Sequence, residues 1–172
     1  MAGNAEIKFA ASAALTVTAL HSLAASSTGV AGWSSASVDN TTDCYLDYLY
    51  SGSFAAHASG QQYGHLDIFV VCPVDFSTTW PVASSGAFGT QGAVTLPATY
   101  AKRCVGRLIA SIEADGSASA VHNLPPTGIA QLFGGFVPPV HCLFIRSNWS
   151  TGTALASSGS AVYRTPVYKQ MS

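Results

Sequence analysis

Charge is nearly missing from this sequence. Seven Lys and Arg and eight Asp and Glu make up 9% of 172 residues, while 48% are hydrophobic; a globular domain ordinarily spends about a quarter of its residues on charge. Ala (27), Ser (22), Gly (16) and Thr (14) fill the gap, so the polar surface is written in small neutral residues. A helical bundle is disfavoured, because solvent-facing helix positions call for Glu, Lys, Arg and Gln. Val, Ile, Thr, Tyr, Phe and Trp recur instead, with Gly, Pro, Ser and Asn between them, which reads as all-β. High hydrophobicity with a net charge of −1 is the reverse of the disordered signature. The same near-neutrality leaves no electrostatic footprint for nucleic acid or an anionic membrane surface. No apolar run reaches the about 18 residues of a spanning helix, and the length suits a single domain.

The stretch from Lys8 to Leu20, followed by Ala24, Ala25 and Ser26, imitates a secretory leader. Ser12, Thr16 and Thr18 dilute its apolar region and Glu6 stands where positive charge belongs, so the expected reading is a mature chain made in the cytoplasm. Residues 1–13 are rich in small residues and carry no charge beyond Glu6 and Lys8. A segment of this kind is too short to fold alone and is expected to be an extended N-terminal arm gripped by a neighbouring molecule, ahead of a single β-sandwich domain at 14–172.

Strand candidates follow one another at short intervals. Ala14 to Leu20 alternates Leu15, Val17 and Ala19 with Thr16 and Thr18, and Trp33 to Val38 is a short second run. Cys44 to Tyr50 sets Cys44, Leu46, Tyr48 and Tyr50 on one side. His65 to Val74 holds the most apolar run, Ile68 to Cys72, and reads as a central strand. Pro81 to Gly92 reads as an exposed loop. Val94 to Leu96, Arg103 to Ile112, Gly128 to Phe133, Val140 to Arg146, Thr153 to Ala156 and Ala161 to Tyr168 complete the list. Asp115-Gly116 signals a turn, and Pro125-Pro126, Gly134-Gly135 and Pro138-Pro139 fall where corners belong. The expectation is a two-sheet β-sandwich, of jelly-roll type, with almost no helix. Its core is drawn from Leu46, Ile68, Val70, Cys72, Leu108, Ile112, Leu143 and Ile145.

Six groups of residues carry chemistry worth weighing. Cys44, Cys72, Cys104 and Cys142 lack any CxxC spacing and read as four buried thiols, with two disulfides as the alternative. His65 and Asp67 share one side of a strand with Asp75 nearby, which suits a metal or a general base, or simply the wet end of a strand. His141, Cys142 and Asn148 are the residue types of a cysteine hydrolase, but neighbours on a strand point to opposite faces, so this His does not reach this Cys. Lys102, Arg103 and Arg107 are either a solvated strand end or a patch for acidic groups. Trp33, Trp80, Trp149, Tyr45, Tyr48, Tyr50 and Tyr63 could stack on sugars or anchor the core. Asn40-Thr41-Thr42 and Asn148-Trp149-Ser150 match the glycosylation triplet, which matters only in a secretory pathway. Neither a G-x-S-x-G elbow nor a phosphate-binding Gly loop occurs. The expectation is no enzyme, and no catalytic, cofactor or metal site.

Ala14-Leu15-Thr16-Val17-Thr18-Ala19-Leu20-His21-Ser22-Leu23-Ala24, the small-residue linker to Gly32-Trp33-Ser34-Ser35-Ala36, and Val38-Asp39-Asn40-Thr41 form a phrase that opens a stretch of about 60 residues. It resembles a family of small structural proteins of tailed bacteriophages, where it precedes strands like Cys44 to Tyr50 and Ile68 to Cys72. The four cysteines depart from that pattern. The resemblance implies a virion protein that decorates the phage head as a cement protein. Its partners would be the major capsid protein and copies of itself as a homotrimer. A tail, collar or head-fibre component, with host-carbohydrate binding, is the alternative on the same fold; a secreted disulfide-bonded lectin-like module is a third, of another class. A charge-poor surface suits the first, since interfaces deplete Lys, Glu and Asp as cores do.

Overall fold

The computed structural model describes residues 5–59, 63–97, 106–149 and 152–171. Among them eleven strands form two antiparallel sheets. In chain order they are β1 (Ala5–Phe9), β2 (Ala13–Ala14), β3 (Ala31–Ser34), β4 (Val38–Asp39), β5 (Asp47–Ala55), β6 (His65–Val71), β7 (Gly92–Thr95), β8 (Arg107–Glu113), β9 (Val121–Gly128), β10 (Val140–Ser147) and β11 (Ala161–Met171). The first sheet runs β1-β11-β5-β9, with β2 also on β11; the second runs β7-β3-β10-β6-β8, with β4 also on β10. Two short 3-10 turns, Thr18–Leu20 and Ala130–Phe133, are the helical content among the described residues.

The sheets pack face to face as a β-sandwich. Tyr48, Tyr50, Phe54, Leu124 and Val162 of the first meet Trp33, Leu66, Ile68, Val70, Leu143 and Ile145 of the second in one buried cluster. A smaller cluster lies on the other side of the second sheet, where Phe69, Val71, Val94, Cys142 and Phe144 are covered by Phe88 and Trp80. β6 and β10 are therefore apolar on both faces, which is why their sequences are continuous apolar runs. Gly32 permits the tight fit of the outer layer, because a Cβ there would sit 2.6 Å from the Phe144 ring and from the Ile145 carbonyl.

Ile68, Val70, Leu143 and Ile145 are fully buried as expected, and Ile112 is half-buried against the same cluster. Leu46 and Leu108 are corrections, because both are exposed. The ladder of β5 starts only at Asp47, after Cys44 has turned the chain at φ 48°, so Leu46 lies outside the alternation. On β8 a bulge skips Ile109 between the pairs Ile68↔Ala110 and Phe69↔Leu108, which turns Leu108 away from the core. Cys72, past the end of β6, is half-buried.

Other elements differ from the sequence pattern for local reasons. Ala14 to Leu20 is no strand beyond Ala14: the Val17 carbonyl accepts from Leu20 and His21, and the resulting turn drives Leu20 into the core. Pro125-Pro126 makes no corner but lies within β9, an edge strand, at the register break between Tyr50 and Gly52 where no ladder donor is needed. Gly128 to Phe133 divides between the end of β9 and a 3-10 turn, and Thr153 to Ala156 contributes isolated bridges. Pro81 to Gly92 is not simply exposed, since Phe88 is buried edge-on to Phe144. The Asp115-Gly116 turn forms as read, with Gly116 at φ 77°. Within 1–13, residues Ala5–Phe9 and Ala13 pair with β11, and the break between β1 and β2 falls opposite Pro166, which has no N–H to offer. Met1 lies outside the described residues.

Val70 is fully buried between the sheets. Val70→Asp should abolish soluble protein, since an unpaired buried carboxylate costs several kcal/mol of a total of about 5 to 15. Soluble yield and far-UV circular dichroism check this, and a soluble, β-rich variant contradicts it.

Candidate functional site

Most of the residues singled out above have a definite place among the described residues. Asp67 on β6 faces Arg146 on β10, whose Nε and Nη2 donate to its Oδ2 at 3.3 Å, and its Oδ1 accepts from the Ser111 hydroxyl at 2.7 Å. The same guanidinium donates to the Gly29 carbonyl at 2.9 Å and lies 5.0 Å from the centre of the Phe69 ring. Asp67 is thus committed to a cross-strand tie. Asp75 lies near the start of the segment after β6 and accepts from the amides of Ser77, Thr78 and Thr79 and from the Thr79 hydroxyl; these bonds hold its carboxyl well below the usual carboxylate range. Among the described residues no three His, Cys, Asp or Glu side chains gather as metal ligands.

His141 and Cys142 go to opposite faces of the second sheet. The Cys142 thiol is buried in the outer cluster beside the Ser34 hydroxyl, which donates to it at 3.6 Å, and burial pushes the thiol up to about 12. A thiol held protonated is a poor nucleophile at neutral pH. Asn148 is used elsewhere, accepting from the His65 amide at 2.6 Å. Cys44, expected to be buried, is exposed, because it sits in a left-handed turn and its Sγ donates to the Thr41 carbonyl at 3.5 Å. Cys44, Cys72 and Cys142 are all free thiols; Cys104, Lys102 and Arg103 lie outside the described residues.

Most of the aromatic set is structural. Trp33, Trp149, Tyr48 and Tyr50 are buried, Tyr45 and Trp80 half-buried, and Tyr63 stands open at 75% exposure. Asn40 closes a turn, its side chain exchanging hydrogen bonds with the amide and carbonyl of Tyr45. The sequence pattern did not disclose the joint between the sheets. His141, fully buried, has its Nδ1 3.3 Å from the Pro138 carbonyl, which can only accept, so Nδ1 carries the proton. Nε2 is then free to accept from the Tyr50 hydroxyl at 2.9 Å. Tyr48 packs edge-on against the same imidazole. Burial raises the Tyr48 hydroxyl to about 12 and pushes Tyr50 up as well, and it holds His141 down at about 4, against the pull of the Pro138 carbonyl.

The surface that remains for recognition is the outward face of the first sheet. Directly paired residues share a face, and Val162, Tyr50 and Phe54 point into the core. The alternate positions therefore face out: Ile7 and Phe9 of β1, Tyr163, Thr165 and Met171 of β11, Leu49, Ser51 and Ser53 of β5, and Val121 of β9. Ile7, Phe9, Val121, Tyr163 and Met171 are all exposed. Two charged residues share this face, Lys169 and Asp47, and the Asp47 carboxylate is occupied by the amides of Tyr48, Ile129 and Ala130. Beside it, a hollow of about 450 Å³ opens between Tyr45 and Leu46 on one wall and Phe136 and Val137 on the other. The alternation of Ile7 and Phe9 with Glu6 and Lys8 was the available sequence signal for this face. Comparison of the sequence with protein-family models and with curated proteins finds no match.

The buried imidazole makes stability pH-dependent. An unfolded His141 takes a proton near its ordinary 6.5, the folded one only near 4. This stability is fully present above pH 6.5 and is lost as pH falls from 6.5 through 4, on the order of 3 kcal/mol in all. Urea titrations across that range should show the loss, with a shallower pH slope in His141→Gln; identical slopes contradict it.

Proposed function

We propose that this chain is a virion structural protein, a decoration or cement protein on the head of a tailed phage. In this reading it is made in the host cytoplasm and then covers the particle, held by the major capsid protein and by copies of itself. The observation that carries the reading is the outward face of the first sheet, with Tyr163, Val121 and Leu49 standing among Ser and Thr and two charges. Exposed apolar side chains ringed by neutral hydroxyls suit a protein whose surface is meant to be covered. The phage-like N-terminal phrase supports the same reading, and its residues do structural work here: Trp33 and Leu20 are core, and Ser34 and Ser35 are buried in hydrogen bonds.

Purified chain added to heads that lack it should co-sediment in numbers comparable with the capsid protein. Tyr163→Asp should cut occupancy about ten-fold or more, with an unchanged circular dichroism spectrum. Failure to bind heads, or localisation confined to the tail, contradicts head decoration; the second result supports the tail or fibre alternative.

A further inference from the structure

We propose that the free edge of β1 pairs with β1 of a second copy, antiparallel, about a two-fold axis at Ile7. A sheet edge is a row of unused N–H and C=O groups, which proteins usually cover or interrupt. Among the described strands, three of the four at the ends of the two sheet orders are treated that way. β9 carries Pro125 and Pro126 at a register break, and β8 has its bulge at Ile109. On β7, Thr95 exchanges backbone hydrogen bonds with Ser84 and Ser85. β1 pairs regularly with β11 over all five residues, and no described strand lies on its other side.

The groups that β1 presents follow from the ladder. Ala10 donates to the Pro166 carbonyl at 2.9 Å from one side of β11, while Leu46 donates to the Val167 carbonyl at 2.8 Å from the other. Alternation along an antiparallel strand then turns the backbone of Glu6 and Lys8 towards β11 and that of Ala5, Ile7 and Phe9 outward. A two-fold axis at Ile7 sets Ile7 against Ile7 of the copy and Ala5 against its Phe9. Each of these pairs is in the position that exchanges two hydrogen bonds.

The side chains select this register. Glu6 falls opposite Lys8 of the copy, and Lys8 opposite its Glu6, at the positions where facing side chains are closest. Within one chain Lys8 Nζ already lies 3.1 Å from Glu6 Oε2, so two copies close a ring of four alternating charges. A parallel, in-register pairing would instead set Glu6 against Glu6. On the opposite side of the strand Ile7 and Phe9, 59% and 63% exposed, cover Ile7 and Ala5 of the copy. An isologous contact of this type closes at two copies. It needs no capsid, so it stands or falls apart from the function proposed above.

Sedimentation equilibrium of the full chain tests it. The wild type should be a dimer. Glu6→Lys and Lys8→Glu, each placing like charges opposite one another, should weaken dimerisation about ten-fold or more. An equimolar mixture of the two variants should recover dimer as a heterodimer, and the double variant should recover it as a homodimer. Recovery on mixing also shows that the single variants are folded. Ile7→Pro, which deletes an amide that β11 does not use, should dissociate the dimer with an unchanged circular dichroism spectrum. A monomer at the highest soluble concentration, an odd-numbered assembly, or a dimer indifferent to the reversals overturns the proposal.

Discussion

β6 and β10 are joined over six consecutive pairs, from Cys142↔Val71 to Ser147↔Leu66, and their side chains are buried on both faces for most of that length. Strands apolar on both sides need cover on both sides. The first sheet supplies one cover through Tyr48, Tyr50, Phe54, Leu124 and Val162. The segment between β6 and β7 supplies the other, folding back so that Trp80 and Phe88 close over Phe69 and Phe144. Some polar groups in this double layer are paired, since Ser35 accepts from the Leu143 amide and His141 joins the sheets through Tyr50, while among the described residues the indole N–H groups of Trp33 and Trp149 are buried without a hydrogen-bond partner. The first sheet, with one cover to provide, is left with an open outer face.

The scarcity of charge acquires a meaning at this point. Of six aspartates, Asp39, Asp47, Asp75 and Asp115 accept from backbone amides and so close turns or joints. Asp67 ties β6 to β8 and β10 through Ser111 and Arg146. Five of the six aspartates are thus engaged in local structure, and with so few charges the outer surface leans on Ser, Thr and backbone for solvation. The outward face of the first sheet is left with two charged residues, Lys169 and Asp47, among exposed apolar side chains, which is the physical basis for reading the molecule as one that works while covered by others.

How much of this was legible in the sequence depends on whether the cause was local. The runs around Ile68 and Leu143 announce central strands because burial on both faces leaves no polar alternation, and the separation of His141 from Cys142 follows from strand geometry alone. Pro125-Pro126 reads as a corner because only the neighbouring register break, set by β5, makes two prolines harmless in a strand. Leu108 reads as core because the bulge that turns it outward is a property of pairing with β6. The open face was legible only in part. Ile7 and Phe9 alternate with charged residues in plain view, but their company with Tyr163 depends on pairing with a strand more than 150 positions away. The Tyr50–His141 joint, which spans 91 positions, has no local signature at all.

The account rests on the doubly covered β6–β10 pair as the centre of stability, and amide hydrogen exchange measures that directly. The amides of residues 66–71 and 142–147 should exchange last, by global unfolding, with those of β1 opening well before them. Slowest exchange in β1 and β11, with β6 and β10 exchanging early, would contradict the account at its base.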